Sequence, residues 1–186
     1  MYETERLILR EWQDSDLAPF IAMGQDPLVM EYFPGLLKPE ESSAMIARIK
    51  TTLKECGFCL YACELKSTKE FIGFIGLSAP KFKAHFTPCV EIGWRIASQH
   101  WGKGYAIEGA LKCLESGFNE FNLNEIVSIA VKENYKSHNV MNKIGMQRDL
   151  SGDFLHPNLA PSHKLAQHTL YRMPRSFFYV QNTPKN

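Results

Sequence analysis

The chain has 186 residues, with 21 Lys and Arg against 20 Asp and Glu, a formal net charge of +1. That balance excludes a global field that would draw nucleic acid or an anionic membrane surface. With 45% hydrophobic and 22% charged residues, no apolar run of membrane-spanning length and no signal-peptide pattern, the expectation is a cytoplasmic protein with one sizeable core and neither membrane nor direct nucleic-acid partners.

Thr4 to Arg10 alternates, Leu7 and Leu9 against Ile8 and Arg10, and reads as a first strand. Asp14, Ser15 and Asp16 offer N-cap side chains to a helix carrying Leu17, Phe20 and Ile21, which Asp26-Pro27 breaks. Leu28 to Phe33 is a short apolar piece, turned by Pro34-Gly35. Pro39 with Glu40 and Glu41 starts a second helix, whose buried stripe is Met45, Ile46, Ile49 and Leu53.

The five cysteines are odd in number, which argues against a disulfide framework while leaving a single bridge open. Cys56 and Cys59 have the spacing of half a zinc site, but no second ligand pair accompanies them. The region around Cys59 reads as a strand, where an odd offset sends two side chains to opposite faces, so buried reduced thiols and no metal are expected.

Gly57 to Leu65 and Glu70 to Ser78 read as strands around a polar turn. Gly73 and Gly76 mark a bulge or a close backbone approach in the second. Pro80 to Pro88 reads as a solvated basic and aromatic loop, since no RNA-binding module accompanies Lys81, Lys83 and His85. Val90 to Ile96 is the next strand, with Val90, Ile92, Trp94 and Ile96 on one face and Glu91, Gly93 and Arg95 on the other.

Gln99-His100-Trp101-Gly102-Lys103-Gly104-Tyr105-Ala106 then joins that strand to an amphipathic run, Ile107 to Phe121. Strand, glycine turn and helix together can bind phosphate: glycine permits a positive φ and close approach, and the first N–H groups of a helix have no intrahelical partner. The spacing is neither a Walker loop nor a dinucleotide fingerprint, and a glycine turn with a helix cap and no ligand is an equal reading of Gly-x-Gly alone. Glu125 to Val131 is a further strand, joined to Val90–Ile96 as a parallel neighbour through the crossover helix. Ser137 can cap a short helix that Gly145 ends. Gln147 to Leu155 and Lys164 to Met173 read as the last strands, and His156, His163 and His168 lack helical metal-ligand spacing.

Three separated segments resemble one family. Gln99-x-x-Gly102-x-Gly104 has the Gln/Arg-x-x-Gly-x-Gly/Ala form of the GNAT N-acetyltransferases. Trp101 to Ala106 and the opening Thr-Glu-Arg-Leu-x-Leu-Arg are similar to its RimJ/RimL branch of ribosomal-protein N-acetyltransferases. Asn134-x-x-Ser137 with Lys143-x-Gly145-Met146 resembles a third family segment, with Met146 at the usual Phe.

The resemblance implies a mixed α/β domain over residues 4–175, with a tail over 176–186. Its central strands would splay after Val90–Ile96 and hold acetyl-CoA in the gap. It implies acetyl transfer to a primary amine, such as a protein N-terminus. The alternatives are a small amine (a polyamine, amino acid or aminoglycoside) or a CoA-binding module without catalysis. Cofactor candidates are Ile92, Trp94, Gln99, Trp101, Gly102, Lys103, Gly104, Tyr105, Ala106, Asn134 and Ser137.

The first two helices and their connection wall the acceptor site in the family, which makes Glu31, Tyr32 and Phe33 acceptor candidates; a solvated acid beside two core aromatics is the plain alternative. Glu91 is the candidate base, by its position on the strand before the loop. A buried or ion-paired structural acid, with Arg95 on the same face as its partner, is nearly as good a reading. Met141 aligns with the tyrosine that serves many relatives as general acid, and methionine has no proton to give.

Overall fold

A computed structural model describes residues Met1–Asn182. Packing divides them into two units, each discontinuous in sequence: Met1–Ser78 with Gly93–Cys113, and Ala79–Ile92 with the chain from Leu114 onward.

In the first unit, β1 (Tyr2–Glu3), β2 (Leu7–Arg10), β3 (Leu60–Leu65) and β4 (Phe71–Ser78) pair antiparallel in that order. The last part of β5 (Glu91–Ile96) follows β4. The first strand is shorter than the alternation suggests. Thr4 to Arg6 form a turn in which Thr4 N donates to the Leu7 carbonyl at 3.0 Å, and only Leu7–Arg10 is extended.

Leu7 and Leu9 are fully buried, as their alternation requires. Against this side of the unit pack a 3-10 turn at Asp14–Asp16, α1 (Leu17–Gly24) and α2 (Pro39–Cys56). Trp12 anchors the aromatic core, 5.0 Å from Phe20 and 5.4 Å from Phe71 between centroids, with Nε1 donating to the Leu60 carbonyl at 2.7 Å. Arg10 holds the buried Asp16 through two nitrogens, at 2.7 and 2.9 Å.

α2 begins at Pro39, and its end is set by Gly57 in the left-handed region at φ 79°. Cys56 therefore closes a helix while Cys59 precedes β3, so the two thiols do not share a strand as expected; the C-cap separates them. All five cysteines are free thiols. The glycines of β4 make the close approaches expected of them. A Cβ on Gly73 would lie 2.1 Å from the Arg95 carbonyl oxygen, and one on Gly76 2.1 Å from that of Cys59.

In the second unit, β5 pairs parallel with β6 (Glu125–Val131), and β8 (Gln167–Pro174) lies antiparallel between β6 and β7 (Gln147–Leu155). One parallel pair in otherwise antiparallel surroundings makes the sheet mixed, as expected. The parallel register is the single pair Glu91↔Val127. Beside it the Ser128 hydroxyl donates to the Ile92 carbonyl at 3.0 Å.

α3 (Tyr105–Asn119) contributes to both units, and α4 (Tyr135–Lys143) follows β6. The segment over Pro80–Pro88 is less solvated than it reads, because Phe82 stacks on Phe154 at 6.2 Å and Phe86 meets its edge at 4.9 Å. The last strand starts later than expected and includes Pro174. Beyond it the expected tail opens as a helix, α5 (Arg175–Asn182), whose Phe178 is buried 5.1 Å from Phe118; residues 183–186 of that tail lie outside the described residues. Among the described residues no helix is long and apolar enough to cross a membrane, and no three His, Cys, Asp or Glu side chains cluster to hold a metal ion.

Candidate active site

The loop after β5 belongs to the first unit and is built to be held still. A 3-10 turn at Ser98–His100 leaves the strand, and Ser98 donates to the Asp26 carboxylate at 2.5 Å. His100 is buried, with Nε2 3.0 Å from a Glu70 carboxylate oxygen. Trp101 folds back so that its indole N–H donates to the Ile96 carbonyl at 2.7 Å. Gly102 and Gly104 then take φ of 75° and 84°, the left-handed region that favours glycine. The first helical bond of α3 runs from Glu108 N to the Gly104 carbonyl at 3.0 Å, so Gly104 is its N-cap.

The amides of Gly102, Lys103 and Gly104 make no hydrogen bond among the described residues. A Cβ at Gly102 would meet nothing within 4 Å. Open space over partnerless amides, at the positive end of a helix, is a fit for the pyrophosphate of acetyl-CoA. Gln99, Gly102 and Lys103 are exposed, while Trp101, Gly104, Tyr105 and Ala106 are half-buried.

The brace on this loop comes from the chain's opening segment. Glu108, in the first turn of α3, accepts from Thr4 Oγ1 at 2.5 Å, from Arg6 N at 2.7 Å and from Arg6 Nε at 2.6 Å. Three donors hold its carboxyl below the usual range against the opposing effect of burial. Arg6 Nη1 donates to the Lys103 carbonyl at 2.9 Å, and the guanidinium lies 4.7 Å over the Tyr105 ring. In the sequence this segment stands out only as a family signature. The bond between residues about a hundred positions apart has no local signal.

Of the β5 candidates, Ile92 is fully buried and Trp94 half-buried. Glu91 opens the strand opposite Val127. It keeps some surface, yet burial raises its carboxyl from the usual carboxylate range to about 7. The side chain of Arg95, the expected ion partner of Glu91, makes no ion pair among the described residues, and its Nε and Nη1 have no hydrogen-bond partner. Its guanidinium lies 4.1 Å from the ring centroid of Phe33 and 5.4 Å from that of Phe74. Glu31, Tyr32 and Phe33 sit in the turn after α1; Glu31 and Phe33 are exposed and Tyr32 is half-buried.

In the second unit, Asn134 rather than Ser137 is the cap of α4: its Oδ1 accepts from Ser137 N at 3.1 Å. Gly145 ends the helix region at φ 82°, as expected. Met141 is buried, 1% exposed, and Tyr135 is 73% exposed with its ring 6.0 Å from that of His138.

Residues 6–147 match the model of the acetyltransferase (GNAT) domain. The uncharacterized N-acetyltransferase YnaD of Bacillus subtilis (strain 168) is 33% identical over 78% of this chain and 82% of its own. A GNAT-family acetyltransferase structure from Bacillus anthracis superposes with a TM-score of 0.76 at 26% identity, covering 94% of this chain and 98% of that one. A spermidine N-acetyltransferase from Vibrio cholerae, in complex with CoA and spermine, shares the fold at 18% identity, with a TM-score of 0.71 over 92% of this chain and 97% of that one. A family match across most of the chain, with a relative 33% identical over more than two thirds of both chains, makes this protein a member of the GNAT family and an acetyl-CoA-dependent acetyltransferase.

Proposed function

We propose that the enzyme acetylates the α-amine of a peptide or protein N-terminus, in the manner of the RimJ/RimL branch. The carrying observation is the loop Gly102–Gly104 with its open amides leading into α3, followed in weight by a carboxyl raised to about 7 at Glu91. Backbone amides of residues 102–104 and the first turn of α3 hold the pyrophosphate. Trp94, Gln99, Trp101, Lys103, Tyr105 and Ala106 flank it, and Asn134 with Ser137 serves the pantetheine arm by resemblance. When bound, acetyl-CoA supplies an activated acetyl thioester.

The chain's own contribution is to position the amine and remove its proton. Glu91 accepts the proton, directly or through one water. An α-ammonium has a reference pKa of about 7.7–8.0 and lysine about 10.4. Transfer to a base near 7 is therefore close to level for the first and steeply uphill for the second. A backbone N–H near Ile92 stabilises developing charge on the acyl oxygen. Met141 is buried and has no proton to donate, so a side-chain acid is not supplied at that position. Glu31, Tyr32 and Phe33 form the acceptor's wall.

The experiment is turnover of a free-N-terminus peptide by the wild type and by Glu91→Gln. The reading expects kcat to fall by about 10²–10⁴-fold in the variant with acetyl-CoA affinity unchanged. Equal kcat and an unaltered pH profile would assign Glu91 to structure.

A further inference from the structure

Arg95 carries a fixed charge into the interior of the first unit with no anion to meet it. Its side chain leaves β5 and is 8% exposed. Nε and Nη1 are buried and have no hydrogen-bond partner. No carboxylate lies within ion-pair distance of it among the described residues. What surrounds the guanidinium is aromatic: the Phe33 ring at 4.1 Å and the Phe74 ring at 5.4 Å. Ring faces attract the positive charge but offer no acceptor to N–H groups lying in the guanidinium plane. Burial lowers its pKa to about 10, which still leaves it protonated at neutral pH.

A buried charge that lacks its hydrogen bonds is costly, and native structures keep one only where something repays it. Phe33, the ring over the guanidinium, is 38% exposed and sits in the turn proposed above as the acceptor's wall. We propose that Arg95 is a carboxylate subsite: the acceptor amine belongs to a molecule that also bears a carboxylate, and that carboxylate accepts from the Arg95 guanidinium beneath Phe33.

This deepens the reading of the acceptor site and rests on it. It selects amino acids or acidic peptides, whose carboxylates are chemically alike, and it disfavours polyamines, which would bring positive charge to a positive site. Arginine suits the task better than lysine, because its planar N–H groups match a carboxylate and it stays charged when buried.

Matched pairs test it. Glycine against glycinamide probes an α-carboxylate. Two otherwise identical peptide amides with Glu or Gln at the second position probe a side-chain carboxylate. In wild type, the acid of one pair should exceed its neutral match in kcat/KM by about tenfold or more, the size of a lost charged hydrogen bond. Whichever pair shows the preference identifies the source. Arg95→Gln should bring that ratio to within about twofold, Arg95→Lys should restore part of it, and acetyl-CoA affinity should stay unchanged in both.

Calorimetric binding of the acetylated products, N-acetylglycine against its amide and the N-acetylated peptides likewise, reads the same preference without turnover. If no amine is acetylated but the acids still bind better in wild type and not in Arg95→Gln, the transfer reading fails and the subsite stands. No acid preference in wild type overturns the proposal, even if the variants do not fold. So does a preference kept by folded Arg95→Gln, or a collapse of its acetyl-CoA affinity.

Discussion

Arg6 and Lys103 are joined by a 2.9 Å hydrogen bond from the guanidinium to a loop carbonyl, so the chain's opening turn fixes the segment between two left-handed glycines. The same arginine reaches Glu108 on the first turn of α3, which ties loop and helix into one body. A loop that binds through backbone amides needs this, because amides cannot be repositioned by a rotamer change.

Arg6→Ala should therefore weaken acetyl-CoA binding while leaving the fold intact. Arg6 is partly exposed, with 43% of its side chain accessible, so the loss is that of a modest hydrogen bond, about 1 kcal/mol or roughly fivefold in Kd. Calorimetry checks it. An unchanged Kd would mean that the loop holds its shape alone.

Two glycines should fail in different ways. Gly102→Val adds a side chain into open space at φ 75°, so it should fold with a cost of about 1–2 kcal/mol yet lose acetyl-CoA affinity. Gly73→Ala would drive a Cβ to 2.1 Å from the Arg95 carbonyl oxygen, and should lower stability by roughly 3 kcal/mol or more. Denaturant titration with ligand calorimetry separates the two. Wild-type affinity in folded Gly102→Val would remove the loop from cofactor binding.

The raised Glu91 carboxyl sets a pH dependence with a definite sign. Below about 7 it holds a proton and cannot accept another, so kcat/KM should climb as pH rises through about 7. The native state keeps that proton between the ordinary value of 4.5 and about 7, where the unfolded chain has released it. Stability should then decline as pH rises through that window. Glu91→Gln should flatten the decline and leave only the titration of the acceptor amine in the rate profile. A wild-type melting temperature that rises from pH 5 to 7 relative to the variant would contradict this.

The thiols should sort by burial. Desolvation raises Cys59 and Cys63 to about 12 and Cys89 to about 11, and lifts fully buried Cys113 as well. Since the thiolate is the nucleophile, alkylation of native protein at pH 8 should label Cys56 first and leave Cys59, Cys63 and Cys113 unmodified. Mass spectrometry reads the order. Early labelling of Cys63 would show that the core around β3 opens.

Much of this was visible in the chain because it is local. The run of α3, the strand Glu125–Val131 and the left-handed glycines at 102, 104 and 145 follow from periodicity and turn chemistry. Sequence alone puts the cap of α4 three residues late, because Asn134 and Ser137 are both good caps and only the Oδ1 contact decides between them. α5 leaves no legible pattern, because eight residues after a proline carry too few turns to display a period, although Phe178 is buried. Arg6 on Lys103 and Arg95 on Phe33 join residues far apart in the chain, and face alternation along β5 pointed Arg95 to the wrong partner.

The acceptor decides the account. Initial rates at saturating acetyl-CoA should be compared near pH 7 for a short peptide with a free N-terminus, the same peptide N-terminally blocked but carrying lysine, and spermidine. The predicted result is that the free N-terminus has the highest kcat/KM, by more than about tenfold, because far more of an α-amine is neutral at that pH. Turnover of spermidine or of the blocked lysine peptide, with the free-N-terminus peptide inert, would contradict it.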